Sequence, residues 1–207
     1  MVIGQVVSYA GNYGISTNPE SFAVYGYRKY FTDKNRNAVL RLSRDGITEI
    51  SAYGMKDFFR DNLINLDSAT AKGKAIGGFD VHNKNYVVSL QSANSSIPYK
   101  TLSFDDSVNG WTSLYSYKPS FAFNLKNMFY TTNSNSLYVH NFYDPTSTGK
   151  NTFYGVAFDS SVKFVFNPKA SVSKNFQTIN YEGSDGWEVT SINSFSDIGS
   201  SIYGRLE

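Results

Sequence analysis

Three aspartates, Asp80, Asp105 and Asp106, are the residues whose chemistry could most readily support catalysis. A glycosidase needs two carboxyl groups about 5 to 9.5 Å apart across the sugar bond that it cleaves. Asp105 and Asp106 are adjacent in the turn-like stretch DDSVNG, so we expect their side chains to point to different sides. Aspartates in turns usually accept hydrogen bonds from their own backbone. We therefore interpret Asp105 and Asp106 as structural turn residues, and we predict that the chain is not an enzyme.

Other chemical motifs give no stronger signal. The two histidines, His82 and His140, and the absence of cysteine leave too few ligands of the usual kinds for zinc. There is no GxSxG motif, and the glycines of residues 73–78 do not follow the phosphate-binding order GxxxxGK[ST]. Residues 33–37 and 105–109 hold Asp and Asn but do not match an EF-hand loop, and ordinary turns explain them. We expect no metal and no cofactor.

Composition narrows the choice of partners and of fold. Lys and Arg number 19 against 17 Asp and Glu, and the signs are interspersed, which argues against nucleic acid as a partner. No apolar run reaches the ~18 residues that span a membrane, and the first residues do not resemble a signal peptide. Aromatic residues make up 16% of the chain, on a background rich in Asn, Ser, Gly and Thr, which favours strands and turns.

Alternating apolar residues and turn signals predict three antiparallel meanders in sequence. The first is SFAVYGYRKYFTDKNRNAVLRLSRDGITEIS, at residues 21–51. The predicted strands are 22–24, 29–32, 38–42 and 48–50 in the first meander, 75–80, 86–90, 100–104 and 111–115 in the second, and 121–125, 128–132, 137–141 and 152–158 in the third. Four strands in about 40 residues is the length of a propeller blade.

Two further segments depart from this pattern. Residues 54–66 predict a helix with Met55, Phe58, Phe59, Leu63 and Leu66 on one face, and a helix that covers the core is favoured over a dedicated binding helix. From residue 160, three strands of fuller alternation predict a separate small sheet. The predicted domains are an N-terminal extension at 1–20, propeller-like blades at 21–158, a C-terminal sheet at 159–196 and a flexible tail at 197–207.

Several motifs resemble known blades. YFTDKNRNAVLRLSRDG resembles the blade of NHL-type and YWTD-type propellers, and IGGFD with LSFDDSVNGWTSL resembles a kelch hairpin. The predicted fold is therefore all-β, with about three β-propeller-like antiparallel meanders, one inserted helix and a small C-terminal β-sheet. Three blades are fewer than the 4 to 8 that usually close a propeller.

A broader resemblance covers residues 18 to about 192. The stretches NPESFAVYGYRKYFTDKNRNAVLRLSRDGITEIS, YGMKDFFRDNL, GGFDVHNKNYVVSL, TLSFDDSVNGWTSLYSYKPSFAFNLKNMFYT and VKFVFNPKASVSKNFQTINYEGSDGWEVTS resemble large tail structural proteins of crAss-like phages and of marine phages of cyanobacteria and Pelagibacter. The resemblance implies a muzzle-like or nozzle-like component of a phage tail. Such proteins are longer than this chain, so we expect a fragment or a reduced paralogue.

The leading hypothesis from the sequence is a structural protein of a tailed bacteriophage virion, assembled in the host cytoplasm. Expected partners are other tail proteins and further copies of the chain. Aromatic and arginine side chains dominate many interfaces, so the candidate contact residues are Tyr53, Phe59, Arg60 and Tyr143, which are expected to be exposed. The alternatives are a tail-tip module that recognises a host-surface glycan through Tyr and Trp faces and, third, a polysaccharide-degrading tail enzyme.

Overall fold

The computed structural model describes residues 8–15, 17–142, 151–167, 169, 171–174, 177–178, 180, 182–183, 186–195 and 201–204. Two units divide the chain, Met1–Ser161 and Val162–Glu207. The regular secondary structure of the described residues is mainly antiparallel sheet, with one α-helix. The predicted all-β class with a single helix is therefore confirmed.

The first meander forms a four-stranded antiparallel sheet. Its strands, in spatial order, are β1 Ala23–Tyr25, β2 Arg28–Asp33, β3 Ala38–Ser43 and β4 Gly46–Glu49. Short 3-10 turns lie at Pro19–Ser21, Lys34–Arg36 and Ile50–Ala52. Asp33 accepts hydrogen bonds from the backbone of Asn35 and Arg36, and Asn37 then adopts the left-handed conformation that starts β3. The turn chemistry of this segment therefore sets the predicted hairpin.

The helix α1, Lys56–Ile64, follows the first sheet. Phe59 and Leu63 are fully buried on one side of it, and Phe58 packs against the same core. The predicted core-covering helix is thus confirmed, because its apolar stripe lies against the sheets.

The second meander is also a four-stranded antiparallel sheet. Its strands are β5 Lys74–Asp80, β6 Asn85–Gln91, β7 Lys100–Asp105 and β8 Gly110–Tyr115, paired in that order. All residues of β6 and nearly all of β5 are buried. A strand that is buried on both sides indicates that this sheet lies between two other layers.

The third sheet has three strands among the described residues. They are β9 Phe121–Leu125, β10 Met128–Asn133 and β11 Ser136–Val139, with β10 in the middle. The predicted fourth strand at 152–158 is wrong, because these residues form a separate hairpin of β12 Thr152–Phe153 and β13 Val156–Ala157. Tyr154 and Gly155 both have positive φ, at 55° and 81°, and this pair reverses the chain.

The three sheets stack on one another in chain order. One face of the second sheet joins the first sheet and α1 in the main core, which includes Tyr30, Phe59 and Tyr86. The opposite face packs against the third sheet through Val87 and Phe129. The stack depends on two glycines in β5, since a Cβ on Gly77 would collide with the Ser21 carbonyl group and one on Gly78 would lie 2.7 Å from the Phe129 ring.

In the second unit, the described strands are β14 Ile192–Phe195 and β15 Ser201–Gly204, which pair antiparallel. β14 coincides with the end of the third strand predicted there. Residues 162–167, where the first strand of the C-terminal sheet was predicted, are exposed and do not form a strand. β15 lies in the segment predicted as a flexible tail. The predicted domain boundaries at 20, 158 and 196 stay predictions.

Candidate assembly surface

One face of the third sheet is apolar and exposed. Residues directly opposite each other in antiparallel strands point to the same side of the sheet. Phe121 pairs with Thr132 and Thr132 with Leu137, and the neighbouring rows follow the same register. This surface, called the third-sheet face below, comprises Phe121, Phe123, Leu125, Met128, Tyr130, Thr132, Leu137 and Val139.

The third-sheet face contains no charged side chain. Phe121, Leu125 and Leu137 keep 50%, 56% and 58% of their surface exposed. Phe123 stacks on Tyr130, with ring centroids 5.5 Å apart and planes 13° apart, and lies 6.0 Å from Phe121. A contiguous apolar patch on a rigid sheet is typical of a surface that another molecule covers.

The opposite face of the same sheet is held firmly. Phe129 and Thr131 are buried there, and the Tyr154 hydroxyl group lies 2.8 Å from Thr131 Oγ1. Tyr138 packs on the Tyr154 ring, with centroids 4.5 Å apart. The third-sheet face is therefore the outer surface of a sheet that the core fixes in place.

The outer face of the first sheet is only partly covered. Tyr13 and Ile15 pack over Phe31, Ala38 and Leu40. The next row of the sheet aligns Val24, Lys29, Leu42 and Ile47. Val24 is 47% exposed, and Phe22, just before β1, is 45% exposed. We call Phe22, Val24, Leu42 and Ile47, together with Lys29 in the same row, the β1 patch.

The candidate catalytic aspartates have structural hydrogen bonds. Asp105 accepts from the backbone N–H and the hydroxyl group of Ser107, both at 2.7 Å. Asp80 accepts from the backbone of His82 at 3.0 Å and from the side chain of Asn141 at 2.9 Å. The interpretation of Asp105 as a turn aspartate is confirmed, and the structure shows the same role for Asp80.

Asp106 has a different role, which the sequence analysis missed. Its carboxylate accepts from Arg41 at 2.6 Å, from Arg28 at 3.0 Å and from the Tyr30 hydroxyl group. Asp106 belongs to the turn after β7, whereas its three partners lie in the first sheet. Burial, together with the hydrogen bond to Asp106, raises the pKa of Tyr30. No local sequence signal distinguishes Asp106 from Asp105, because its partners are more than 60 residues away.

The two histidines lie in different surroundings. His82 is exposed in the turn between β5 and β6. His140 shares a hydrogen bond of 2.7 Å with Thr131 Oγ1 and packs against Tyr117 and Phe129, with centroids 4.8 and 5.0 Å away. Burial lowers the pKa of His140 to about 4, against a weaker opposing effect of Asp80.

The described residues contain neither a metal-binding cluster nor a helix that could span a membrane. There, no three His, Asp or Glu side chains are grouped so that they could hold a metal ion. Within the same part of the chain, no helix combines the length and apolarity needed to cross a membrane.

Comparison with known proteins adds one match. Residues 148–200 match the family model described as the Crassvirus muzzle protein C-terminal domain. This stretch is similar to that domain. It makes up about a quarter of the chain and includes the β12–β13 hairpin and most of the second unit. No curated protein matches the chain.

The match supports part of the resemblance seen in the sequence. Over residues 148–200, the match supports a resemblance to a structural protein of the crassvirus virion, of the muzzle type. The resemblance to phages of cyanobacteria and Pelagibacter has no support from this comparison.

The four predicted contact residues differ in their exposure and contacts. Tyr53 is 39% exposed and lies over Phe104, with centroids 6.0 Å apart. Arg60 is exposed and pairs with its helix neighbours Asp57 and Asp61. Tyr143 lies outside the described residues.

Phe59 requires a correction. It is fully buried and packs on Trp111, with ring centroids 4.5 Å apart, so its predicted exposure is wrong. The reason is the helical spacing itself, since Phe59 and Leu63 lie one turn apart on the side of α1 that meets the core. The sequence did contain a signal for the third-sheet face. Phe121, Phe123 and Leu125 alternate along one strand, while Ala122 on the other side packs at Gly78.

Proposed function

We propose that this chain is a structural component of a crassvirus-like phage virion, built into the tail apparatus in a muzzle-like or nozzle-like position. The observation that carries the proposal is the match of residues 148–200 to the muzzle C-terminal domain. The exposed apolar third-sheet face supports it, because a protein that works by assembly needs surfaces of this kind.

The arrangement of the sheets fits this role. Three meander sheets packed in chain order support an open arc of propeller-like blades, to be continued by other subunits or other chain segments. Asp80, Asp105 and Asp106 are engaged in turns and inter-sheet contacts, which favours a structural role over a hydrolytic one.

The test is the presence and position of the chain in virions. Particles of a phage that encodes the chain would be purified by density gradient and analysed by mass spectrometry, with a phage replication protein as the negative control. We expect the chain in intact particles, in constant ratio to the major capsid protein, and antibody labelling at the free end of the tail. Its absence from particles, or labelling confined to the capsid, would contradict the proposal.

A further inference from the structure

We propose that the third-sheet face of one copy packs against the β1 patch of a second copy, so that copies assemble head to tail. This deepens the proposed assembly role by naming the two surfaces and the partner.

The sheets already meet through their first strands. In both internal contacts, the first strand of one sheet packs against the first strand of the next, β1 against β5 and β5 against β9. Tyr25 of β1 stacks on Phe79 of β5, with centroids 4.2 Å apart, and Ala122 of β9 lies over Gly78 of β5. By continuity, the outer side of β9 suits the first strand of a further sheet.

Strand β1 of a second copy can take the place of that further strand. Outward-facing apolar residues of a first strand remain exposed at one other place in the described part of the stack, at β1, where Phe22 and Val24 lie. β9 offers Phe121 and Leu125 with similar exposure. The two open ends of the stack therefore carry matching apolar strands, as a heterologous contact between identical chains requires.

The outer face of β9 requires a wider spacing between sheets than the internal contacts do. The internal contacts are close because Gly77 and Gly78 have no side chains, whereas β9 presents Phe121, Phe123 and Leu125 to the outside. Two such faces would pack at the ordinary sheet-to-sheet distance of about 10 Å. The stacked rings of Phe123 and Tyr130 give the contact a preformed aromatic centre, which favours binding at low entropic cost.

A head-to-tail contact makes a definite prediction about larger assemblies. Heterologous interfaces produce rings when the rotation closes and filaments when it does not. Two copies with three stacked sheets each would bring together six sheets, within the 4 to 8 blades that close a propeller.

The test measures mass in solution by light scattering at about 50 μM. The wild-type chain should be a dimer or larger. Leu125→Lys on the third-sheet face and Val24→Lys in the β1 patch should each give monomers. The first places a charge in an apolar face, and the second adds a positive charge directly opposite Lys29. Ile64→Lys is the matched control, since Ile64 is 55% exposed at the end of α1, outside both surfaces, and should leave the mass unchanged.

Mixing the two variants distinguishes the head-to-tail contact from a symmetric one. The Val24→Lys chain keeps an intact third-sheet face and the Leu125→Lys chain an intact β1 patch, so an equal mixture should form dimers and nothing larger. A symmetric contact between two third-sheet faces would leave Val24→Lys oligomeric, and that result would overturn the proposal.

A monomeric wild-type chain would also overturn it, and would indicate that another molecule or another segment covers the third-sheet face. That outcome would leave the proposed place in the virion untouched, because mass spectrometry of particles tests it separately. Circular dichroism and thermal melting of each variant, with values equal to wild type, confirm that a loss of mass reflects lost contact rather than unfolding.

Discussion

Asp106 joins the first two sheets through charged and polar side chains. Its own side chain is 10% exposed and that of Arg41 is 13% exposed, whereas Arg28 is 35% exposed. The pair with Arg41 is thus shielded from water more than the pair with Arg28. A shielded charge pair is costly to break, because the remaining partner stays buried without its counter-charge.

We therefore expect Asp106→Asn to lower the free energy of unfolding by about 2 to 4 kcal/mol. Asp105→Asn is the matched control. It is adjacent, its partner Ser107 is exposed, and asparagine also favours turns, so a change within about 0.5 kcal/mol is expected. Urea unfolding of the two variants measures this difference. Equal losses would show that the contacts of Asp106 with the first sheet add nothing to stability.

His140 predicts a pH dependence. Its pKa is about 4 in the folded chain, below the unperturbed value of about 6.5. As the pH falls, the unfolded chain binds a proton at this site before the folded chain does. His140 therefore stabilises the fold above pH 6.5, and this contribution is lost as the pH falls towards 4, by roughly 3 kcal/mol in total.

The measurement is urea unfolding between pH 7 and 4 for wild type and His140→Phe, which keeps an aromatic ring but cannot titrate. The wild-type chain should lose more stability across this range than the variant does. His82→Asn, which removes the exposed histidine, should retain the wild-type loss. Parallel pH profiles for wild type and His140→Phe would contradict the assigned environment of His140.

At the scale of elements, local chemistry explains most of what the sequence predicted. The hairpin turns were predictable because Asp33, Asp80 and Asp105 each end a strand and accept hydrogen bonds from the backbone of the next residues. The hairpin of β12 and β13 was missed because Tyr154 is an uncommon residue at positive φ. In the second unit, residues 162–167 alternate in sequence but do not form a strand, so alternation alone was an insufficient guide there.

The apolar stripe of α1 is compatible with two interpretations, a helix that covers the core and a helix that binds a partner chain. Apolar spacing identifies the side that is buried but cannot show whether the core or a partner chain covers it. In the structure, Phe59 and Leu63 are covered by the chain's own core. Because the core covers Phe59, a substitution of this residue tests the stability of the fold and not an interface.

Phe59→Ala should therefore destabilise the fold by about 3 to 5 kcal/mol, through lost burial and a cavity beside Trp111. Arg60→Ala, at the next position, removes an exposed side chain whose ion pairs are also exposed, so a change below about 0.5 kcal/mol is expected. Thermal or urea unfolding of both variants measures the contrast. A Phe59→Ala chain as stable as wild type would place Phe59 outside the core.

At the scale of the whole molecule, the order of the sheets follows from the order of the meanders, but their stacking does not. Gly77 and Gly78 stand beside each other in the sequence and serve opposite faces of β5, one towards Ser21 and one towards Phe129. The sequence shows two adjacent glycines, and only the folded chain shows which sheet packs closely against each of them. The third-sheet face has the same origin, since its exposure depends on what else lies on the sheet.

The boundary of the first unit can be tested by truncation. The two units divide after Ser161, whereas the family match begins at residue 148 and takes in the β12–β13 hairpin. In the structure this hairpin completes the core of the third sheet. Phe153 packs on Tyr117 with centroids 4.9 Å apart, and Tyr117 is 3% exposed.

A chain of residues 1–161 should therefore fold, and a chain of residues 1–147 should be less stable by about 3 kcal/mol, because it loses Phe153 and Tyr154 and uncovers Tyr117. Urea unfolding followed by tyrosine fluorescence measures both chains. Phe153→Ala in the 1–161 chain should give part of the same loss, which separates the missing contact from the shorter length. Equal midpoints for the two truncated chains would instead assign the hairpin to the second unit, in agreement with the start of the family match.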